Sequence, residues 1–416
     1  MNSIQPNVEF ETIAVVGLGY IGLPTAAVFA SRKKQVIGID VSQKTVDIIN
    51  RGEIHIVEPD LDMVVRATVT EGYLRATLEP EPADAFLIAV PTPFKDGHIP
   101  DLSYIEAAGR AIAPVLKKGD LVILESTSPV GTTEQLAGWL AEERSDLTFP
   151  QQVGENSDIR VAHCPERVLP GQVLSELVQN DRVIGGMTAK CSEMAVRLYK
   201  TFVKGECVVT NCRTAEMCKL TENSFRDVNI AFANELSVIC DKLDISVWEL
   251  ISLASRHPRV NILQPGPGVG GHCIAVDPWF IVSKTPEQAR LIHTARQVND
   301  DKPRWVIDKI VAKAQRFKKP VIGCLGLAFK ANIDDMRESP ALDIVRQLQK
   351  LDIGEIMACE PNVHSDFDEF LLYDAATVVK EADILVVLVD HDEFKGIRSD
   401  VLNEKVIIDT RGIWGK

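Results

Sequence analysis

The sequence contains no hydrophobic run near the ~20 residues that a membrane-spanning helix requires. Residues 1–10 combine no basic segment with an apolar one, so no secretory leader is predicted. The nine cysteines are scattered without a Cys-x-x-Cys pair, which argues against a disulfide framework or a structural zinc site and for a reducing, cytoplasmic compartment. Basic residues do not balance the acidic ones, 45 against 59, and the resulting net charge of -14 argues against nucleic acid or an anionic membrane as a partner.

The first clear structural signal is a glycine-rich turn between a strand predicted at 12–16 and a helix predicted at 23–31. The turn residues are Gly17, Leu18, Gly19, Tyr20, Ile21 and Gly22. The next predicted strand, 36–40, ends in Asp40. This order of strand, Gly-x-Gly-x-x-Gly turn, helix and acid predicts a Rossmann domain that binds a dinucleotide. Asp40 favours NAD over NADP, because a carboxylate bonds ribose hydroxyls and repels a 2′-phosphate.

Polar residues follow three further predicted strands, at 85–90, 121–125 and 160–164. In open parallel sheets ligands bind beyond the carboxyl ends of the strands, so these residues are candidates for contact with cofactor or substrate. They are Thr92, Thr127, Ser128 and Glu166. Helix capping is the alternative role for the hydroxyl residues, and it is the expected role of Ser128. Glu166 stands where a catalytic acid could lie, although a single glutamate after a strand is more often a surface residue.

A stretch without glycine or proline, 214–243, carries apolar residues at helical spacing and predicts one long helix between domains or subunits. Lys219, Asn223 and Asp227 follow one another at intervals of four and therefore share one face of that helix. A lysine and an asparagine on one face could donate two hydrogen bonds to a single oxyanion. Alternatively, these residues form a polar face exposed to solvent. A catalytic role is favoured only if the helix packs beneath a reactive group.

Four glycines precede Cys273 in the segment 266–278, and Asp277 follows it by four residues. Glycines permit positive φ and close approach of a ligand, and a thiol at the end of such a loop can act as a nucleophile. Taken alone, a tight turn into a buried cysteine is the more common interpretation. Positive charge precedes the loop at Arg256, His257 and Arg259. These side chains could bind phosphates or a sugar, or they could cap a helix.

The last third of the chain repeats the pattern of the first. A strand beginning near Pro320 enters a glycine turn, and further strands are predicted at 384–389 and 406–409. In place of a Gly-x-Gly-x-x-Gly turn this copy has Lys330 and then Arg337. We therefore expect a second nucleotide-binding type of domain, for which a phosphorylated second ligand is favoured over a purely structural role.

Four motifs together resemble the UDP-sugar 6-dehydrogenases of the UDP-glucose/GDP-mannose dehydrogenase superfamily, over about residues 11–414. They are the Gly17-x-Gly19-x-x-Gly22 turn, the Glu125-Ser126-Thr127 strand end, the Lys219-x-x-x-Asn223 helix and the Gly-Gly-x-Cys273-x-x-x-Asp277 loop. The resemblance implies an α/β fold with two Rossmann-like doubly wound domains, joined by a long central helix and a helical middle domain. It implies an NAD-binding domain at 1–205, a central domain at 206–310 and a UDP-binding domain at 311–416, and a homodimer formed through the helix 214–243.

The resemblance also implies a reaction: oxidation of the sugar C6 alcohol to an aldehyde, attack by Cys273, a second oxidation to a thioester, and hydrolysis to the carboxylate. The implied catalytic residues are Cys273, Lys219, Asn223, Asp277, Thr127 and Glu166. The implied NAD contacts are Gly17, Gly19, Tyr20, Ile21, Gly22, Asp40, Pro91, Thr92, Thr127 and Arg337. The implied substrate contacts are Glu166, Arg167, Val168, Lys219, Asn223, Arg256, His257, Arg259, Gly270, Phe329 and Lys330. Lys219 and Asn223 would hold the oxyanion, and no metal is implied.

Residues 256–268 resemble the branch that acts on UDP-N-acetylhexosamines, and Pro170 stands where the glucose branch carries an acid. Within that branch, the resemblance implies UDP-N-acetyl-D-mannosamine as the substrate, oxidised for a surface polysaccharide of the enterobacterial common antigen type. UDP-N-acetylglucosamine and UDP-glucose are alternatives. A single-step hydroxy-acid dehydrogenase shares the Rossmann domain and a helix lysine, but it needs no cysteine and yields one NADH per substrate. A non-catalytic NAD-binding protein would not need the lysine, asparagine, cysteine and aspartate together.

Overall fold

The computed structural model describes residues 10–56, 58–168, 171–271, 273–363 and 367–414. The leader prediction for residues 1–10, apart from Phe10, and the substrate argument from Pro170 lie outside the described residues. The chain divides into two compact units, Met1–Thr221 and Glu222–Lys416. One helix begins in the first unit and ends in the second. The predicted division into three domains stays a prediction.

The first unit alternates strands and helices. Its strands are β1 Thr12–Val16, β2 Gln35–Ile39, β3 Leu74–Thr77, β4 Ala85–Ile88, β5 Phe94–Lys95, β6 Ile99–Pro100, β7 Leu121–Leu124, β8 Arg160–His163, β9 Arg182–Gly186 and β10 Cys207–Asn211. Its helices are α1 Gly22–Ser31, α2 Gln43–Asn50, α3 Leu61–Thr70, α4 Ser103–Ile112, α5 Thr132–Glu143, α6 Pro150–Val153, α7 Val173–Gln179 and α8 Ala189–Tyr199. The helix α9, Cys212–Leu243, then leads out of this unit.

Eight of these strands form one sheet in the order β10-β9-β8-β7-β4-β1-β2-β3, and β5 pairs with β6 separately. Within this sheet the neighbouring strands β8, β7, β4, β1, β2 and β3 all run parallel, whereas β9 runs antiparallel to β8. Strands such as β4 and β7 are buried along their whole length, as expected for a sheet covered on both faces. Two hydrophobic clusters lie against the sheet, one including Phe29 and Tyr199, the other including Phe86 and Phe149.

The second unit contains a smaller sheet of the same design. Its strands are β11 Val321–Leu325, β12 Glu355–Cys359, β13 Ile384–Val387 and β14 Val406–Asp409. Its further helices are α10 Val247–Ala254, α11 Asp277–Lys284, α12 Arg290–Ala314, α13 Pro340–Lys350, α14 Ala375–Glu381, α15 Asp392–Lys395 and α16 Ser399–Leu402. The order β12-β11-β13-β14 repeats the order β2-β1-β4-β7 of the first unit, and all three pairings are parallel. The duplicated α/β design predicted from the sequence is thereby confirmed.

The long helix begins two residues before its predicted start. Asn211 ends β10, and its side-chain oxygen accepts a hydrogen bond from the backbone N–H of Thr214 at 2.9 Å, which caps the first turn. At ~1.5 Å per residue, the 32 residues of α9 extend about 48 Å. In the described part of the chain, no helix combines the length and the apolar character needed to cross a lipid bilayer.

Candidate active site

The glycine turn after β1 has the backbone shape that a dinucleotide needs. Gly17 has a φ of 91°, and a Cβ atom there would lie 2.7 Å from the carbonyl oxygen of Ala89. A Cβ atom on Gly22 would lie 1.8 Å from the carbonyl oxygen of Gly17, so backbone packing requires the first and last glycines. A Cβ atom on Gly19 would meet no atom within 4 Å. The turn therefore leaves open space at the start of α1, where a pyrophosphate fits.

Asp40 follows β2 and is half-buried beside that turn. Its two carboxylate oxygens accept hydrogen bonds from Leu18 N at 3.0 Å and from Ser42 N at 2.9 Å. Each carboxylate oxygen can accept two bonds, so the group is held in place and can still bond ribose hydroxyls. Tyr20 is exposed on the turn, and Ile21 directly precedes α1. These residues fit the adenosine and pyrophosphate half of NAD.

The segments that follow β4 and β7 are joined at the carboxyl edge of the sheet. The Ser126 hydroxyl donates to the carbonyl oxygen of Val90 at 2.7 Å, one residue before Pro91. Thr92 is half-buried, and its hydroxyl has no hydrogen-bond partner among the described residues. Thr127 is half-buried next to Ser126. The fold therefore places Pro91, Thr92 and Thr127 at the edge where the sequence analysis expected them.

The prediction that Ser128 caps the following helix is wrong. The helix α5 begins after Gly131, which has a φ of 97°, and in the described structure the buried Ser128 hydroxyl has no hydrogen-bond partner. The N–H groups at the start of α5 are bound by Glu216 of α9, whose carboxylate accepts from Gly131 N at 2.6 Å and Thr133 N at 2.8 Å. An acid at a helix N-terminus is stabilising, and this one fixes α9 against the strand-end loop.

Lys219 lies one turn after Glu216, half-buried, and its ammonium donates to the carbonyl oxygen of Glu166. The Glu166 side chain is buried: one oxygen accepts from Arg167 N at 2.7 Å, and the other lies 2.7 Å from Nη1 of Arg182. The structure thus brings Lys219 and Glu166 together, but through the glutamate backbone. One carboxylate oxygen of Glu166 therefore accepts a backbone hydrogen bond, and the other is ion-paired with Arg182 without forming a hydrogen bond among the described residues.

In the second unit, the cysteine loop lies against the continuation of α9. Asn223 donates its side-chain N–H to a carboxylate oxygen of Asp277 at 2.6 Å, and both residues are buried. Asp277 opens α11, and its backbone N–H donates to the carbonyl oxygen of Cys273 at 2.9 Å. Cys273 itself is half-buried. The structure therefore brings together Asn223, Asp277 and Cys273, three of the predicted catalytic residues.

Glycines let this loop pack closely on its neighbours. A Cβ atom on Gly270 would lie 2.3 Å from the carbonyl oxygen of Glu338, and one on Gly271 would lie 2.9 Å from the ring of Phe329. Gly271 also has a φ of 81°, which disfavours any other residue. The loop and the segment after β11 consequently form one surface, which places the predicted substrate contacts Gly270 and Phe329 side by side.

A pocket in the second unit opens next to that surface. Its lining residues are Pro267, Gly268, Ala328, Phe329, Lys330, Pro340, Ala341, Leu388, Val389, Asp390 and Arg411. Phe329 and Lys330 were predicted, whereas Arg411 and its ion-pair partner Asp390, 2.7 Å away, were missed. The signal was present: Arg411 lies two residues after β14, at the carboxyl end of a parallel strand. A Cβ atom on Gly266 would lie 2.5 Å from its guanidinium, so this glycine makes room for Arg411.

The other predicted contacts lie elsewhere in their units. Arg256, His257 and Arg259 follow α10, are exposed, and are not among the residues that line the pocket. Arg337 is exposed, and its guanidinium binds the carboxylate of Asp335 at 2.6 Å. Arg167 and Val168 are half-buried in the first unit, where a guanidinium N–H of Arg167 donates to the carbonyl oxygen of Asp181 at 2.6 Å.

Asp227, the third member of the predicted stripe on α9, has a structural role in the described fold. It is fully buried and lies 2.6 Å from Nη1 of Arg296. The side-chain N–H of Asn299 also donates to its carboxylate at 2.8 Å. Asn299 in turn accepts from Asn234 at 2.8 Å, and the oxygen of Asn234 accepts from the backbone N–H of Gly266 at 2.9 Å. This buried chain of bonds fixes the start of the cysteine loop against α9.

Comparison with known proteins accounts for this arrangement. Models of three parts of the UDP-glucose/GDP-mannose dehydrogenase family match the chain: the NAD binding domain at residues 11–203, the central domain at 213–301 and the UDP binding domain at 323–416. An NDP-N-acetyl-D-galactosaminuronic acid dehydrogenase of Ralstonia nicotianae is 67% identical over 98% of this chain and 97% of its own length. A UDP-N-acetyl-D-mannosamine dehydrogenase of Yersinia pestis is 65% identical over 98% of this chain and 100% of its own.

A solved structure agrees with the fold over nearly the whole chain. The UDP-D-ManNAc dehydrogenase from Pyrococcus horikoshii has a TM-score of 0.87 at 41% identity, and the match covers 97% of this chain and 96% of that one. The predicted fold class, the NAD cofactor and the assignment as an NAD-dependent oxidoreductase are confirmed. The chain belongs to the UDP-glucose/GDP-mannose dehydrogenase family.

Proposed function

We propose that the protein oxidises the C6 alcohol of UDP-N-acetyl-D-mannosamine to the carboxylate, with Cys273 as a covalent nucleophile. The observation that carries this proposal is the cluster in the second unit, where Asn223 bonds Asp277 at 2.6 Å and Asp277 N bonds the carbonyl of Cys273. A half-buried thiol, an amide donor and a carboxylate are the groups that oxidation through a thioester requires.

The thiol explains how one site oxidises the same carbon twice. When bound, NAD accepts an electron pair as hydride at each of the two oxidations. After the first, the sulfur of Cys273 adds to the aldehyde carbon, and the carbonyl electrons move to oxygen to give a thiohemiacetal. After the second, the carbon is held as a thioester. Water then adds, the carbon–sulfur bond breaks, and the thiolate and the carboxylate separate, so that one alcohol, one water and two NAD+ would yield one carboxylate, two NADH and three protons.

Oxyanion binding falls to Lys219 and Asn223, which lie one turn apart on α9. An ammonium has three N–H donors, and Lys219 donates one of them to the carbonyl oxygen of Glu166. A side-chain amide has two N–H donors, and Asn223 donates one of them to the carboxylate of Asp277. Each side chain is therefore oriented by the protein and keeps at least one donor for the oxygen of the thiohemiacetal and of the hydrolytic intermediate.

Asp277 is the carboxylate that we assign to the hydrolytic water. It is held by Asn223, and its backbone N–H bonds the carbonyl oxygen of Cys273, so it belongs to the same loop as the nucleophile, whereas the Glu166 side chain is ion-paired with Arg182. A base must lie within hydrogen-bond reach of the water that attacks the thioester. Thr127, one of the implied catalytic residues, is a candidate to orient that water.

The pocket beside Phe329 is proposed to hold the UDP part of the substrate. Lys330 and Arg411 place two positive charges on its lining, where a diphosphate could bind them, and Asp390 on the same lining orients Arg411 through an ion pair. Phe329 supplies an apolar surface next to them. The match of residues 323–416 to a UDP binding domain supports this assignment.

The sugar is assigned from the relatives. The Yersinia relative, at 65% identity, and the Pyrococcus structure, at 41%, are both named for N-acetylmannosamine. The Ralstonia relative, at 67% identity, is named for N-acetylgalactosaminuronic acid, so UDP-N-acetylgalactosamine is the second candidate. A uronate product of either kind suits synthesis of a surface polysaccharide, and the absence of disulfides among the described cysteines supports a cytoplasmic site.

The test is an assay of the purified protein with NAD and four sugars in parallel: UDP-N-acetyl-D-mannosamine, UDP-N-acetylgalactosamine, UDP-N-acetylglucosamine and UDP-glucose. We expect the first to have the highest kcat/KM, by at least about 10-fold, since a site built to bond a substituent discriminates against a misplaced one. We also expect two NADH for each sugar converted. A single NADH per sugar would identify a one-step dehydrogenase instead.

We propose that a second copy of the chain covers one side of α9. Phe225, Phe232 and Ile239 recur there every seven residues and are 68%, 54% and 43% exposed, and Leu243 continues the line at 61%. Seven-residue spacing keeps these side chains on one stripe of a helix. An exposed apolar stripe of this length is typical of a protein–protein interface.

Replacement of Phe232 by aspartate is expected to convert the dimer to monomer, because the dimer would have to bury a charge in the centre of its apolar contact. Light scattering coupled to gel filtration measures the mass directly. Lys242→Gln, an exposed change on the same helix with the same change in charge, is the control and should remain dimeric. Wild-type protein that is monomeric at micromolar concentration would disprove the interface.

A further inference from the structure

A buried cluster of charged side chains lies at the carboxyl edge of the first sheet. Glu125 follows β7, Glu166 follows the end of β8, and Arg182 opens β9. Because β9 is antiparallel to β8, its first residue lies at the same edge where β7 and β8 end. The three residues are only 2%, 6% and 4% exposed. Buried charge is costly unless it is paired, so this cluster requires a reason.

Arg182 is the centre of the cluster. Its Nη1 lies 2.7 Å from a carboxylate oxygen of Glu166, and its guanidinium carbon lies 4.9 Å from the ring centre of Tyr199. The Tyr199 hydroxyl donates to Glu125 at 2.6 Å. The guanidinium is thus held between a carboxylate and an aromatic face, an arrangement that suits a planar cation better than an ammonium.

Burial raises the pKa of Glu125 to about 7, against the opposing attraction of Arg182. The second carboxyl oxygen of Glu125 has no hydrogen-bond partner in the described structure, which suits a neutral acid better than an anion. With Glu125 protonated, the cluster contains one carboxylate and one guanidinium. The charge of Arg182 is then committed to Glu166.

Glu166 connects this cluster to the proposed catalytic lysine. Its side chain is held by Arg182, and its backbone carbonyl accepts the hydrogen bond of the Lys219 ammonium. Residues 164–168 have no regular secondary structure, so no helix or strand ladder fixes the orientation of that carbonyl. The ion pair to Arg182 anchors the residue from the opposite end.

We propose that Arg182 is a positioning residue for Lys219: by holding the Glu166 side chain, it fixes the carbonyl that orients the lysine ammonium toward the oxyanion. The inference deepens the proposed function, because it rests on the oxyanion role of Lys219. Arg182 acts through Glu166 in the described structure, so its loss should weaken oxyanion stabilisation rather than cofactor binding.

Two substitutions separate this role from a merely structural one. We expect Arg182→Met to lower kcat on UDP-N-acetyl-D-mannosamine by roughly 100-fold, the scale of loss when a catalytic group is misplaced by about 1 Å. NAD affinity should change less than about twofold, since the Arg182 side chain contacts Glu166 and Tyr199, neither of which is a predicted NAD contact. Arg182→Lys keeps the charge and should recover part of kcat. Arg213→Met, which removes an exposed arginine–glutamate pair from the first turn of α9, is the matched control and should leave kcat unchanged.

A double-mutant cycle gives the decisive comparison. If Arg182 acts through Lys219, then Arg182→Met should cause almost no further loss of kcat in a Lys219→Met background, because coupled residues are not additive. Independent multiplication of the two losses would overturn the proposal, and so would a normal kcat in Arg182→Met. The melting temperature and the NAD affinity of each variant show whether it is still folded.

A second measurement needs no sugar and separates this proposal from the proposed function. Acetic anhydride at limiting concentration, followed by peptide mass spectrometry, gives the reactivity of the Lys219 amine. We expect Lys219 in Arg182→Met to be acetylated several-fold faster than in wild type, because its hydrogen-bond acceptor is no longer fixed, and Arg182→Lys to lie between them. Unchanged reactivity would overturn the link. If the reactivity of Lys219 changes but the protein oxidises none of the four sugars, the proposed function is refuted, whereas the positioning of Lys219 by Arg182 through Glu166 is supported.

Discussion

Replacement of Cys273 by serine is expected to stop formation of the carboxylate while NAD still binds. A hydroxyl is a far weaker nucleophile than a thiolate at neutral pH, so the aldehyde carbon would no longer be held in a form that can lose a second hydride. We expect kcat for carboxylate formation to fall by on the order of 10³-fold or more, as when other covalent nucleophiles are removed. Mass spectrometry of the sugar product and absorbance of NADH measure the two outputs separately.

Cys207→Ser is the matched control for this experiment. Cys207 is half-buried like Cys273, but it lies in β10 and outside the proposed site. The control should turn over at the wild-type rate. Carboxylate formation by Cys273→Ser at a rate near that of wild type would refute the covalent route, whereas a small yield of free aldehyde would support it.

Local patterns in the sequence were enough to predict much of the fold. β1 and β14 were predicted at their observed positions, and α9 was predicted within two residues of its start. These elements are specified by residues close in the chain: alternation of buried strands with amphipathic helices, and a helix without glycine or proline. The same holds for the Gly17 turn and Asp40, whose contact with Leu18 follows from the order of β1, the turn and β2.

Contacts between distant residues could not be predicted in this way. The acid that binds the start of α5 is Glu216, more than 80 residues along the chain from Gly131 and Thr133. Ser128 was predicted to cap α5 because it is close in the sequence, whereas in the fold the carboxylate of Glu216 binds the N–H groups there. Arg182 likewise gives no sequence signal, because its partner Glu166 is defined only once β9 folds back antiparallel to β8.

The two units use the same acid position in different ways. Asp40 after β2 is half-buried and accepts one backbone bond from the glycine turn, at Leu18. Glu360 after β12 is 4% exposed, and its one oxygen accepts from both Leu327 N at 2.7 Å and Ala328 N at 2.9 Å. It also bonds the ring of His391 at 3.1 Å. The carboxylate of Glu360 therefore bonds groups of its own fold rather than a ribose. This agrees with a ligand that binds instead in the pocket lined by Lys330 and Arg411.

Replacement of Asp277 by asparagine should leave both oxidations possible and stall the hydrolysis that follows them. Asparagine keeps the shape of the side chain and can still bond Asn223, but it cannot accept a proton from water. We expect steady-state kcat to fall by roughly 10²- to 10⁴-fold, the usual contribution of a general base. A burst of NADH approaching two per active site should precede the slow phase. Intact-mass measurement should then show the sugar nucleotide attached through a thioester, which hydroxylamine releases.

Glu166→Gln is the comparison that decides between the two carboxylates. Its side chain is held by Arg182 and Arg167 N, so this change should slow turnover through the Lys219 contact without accumulation of the thioester. Glu287→Gln, an exposed acid ten residues after Asp277, should behave as wild type. If Glu166→Gln accumulates the thioester and Asp277→Asn does not, the roles are reversed, because the residue that activates water acts at hydrolysis alone, whereas Lys219 stabilises the oxyanions of both the oxidation and the hydrolysis.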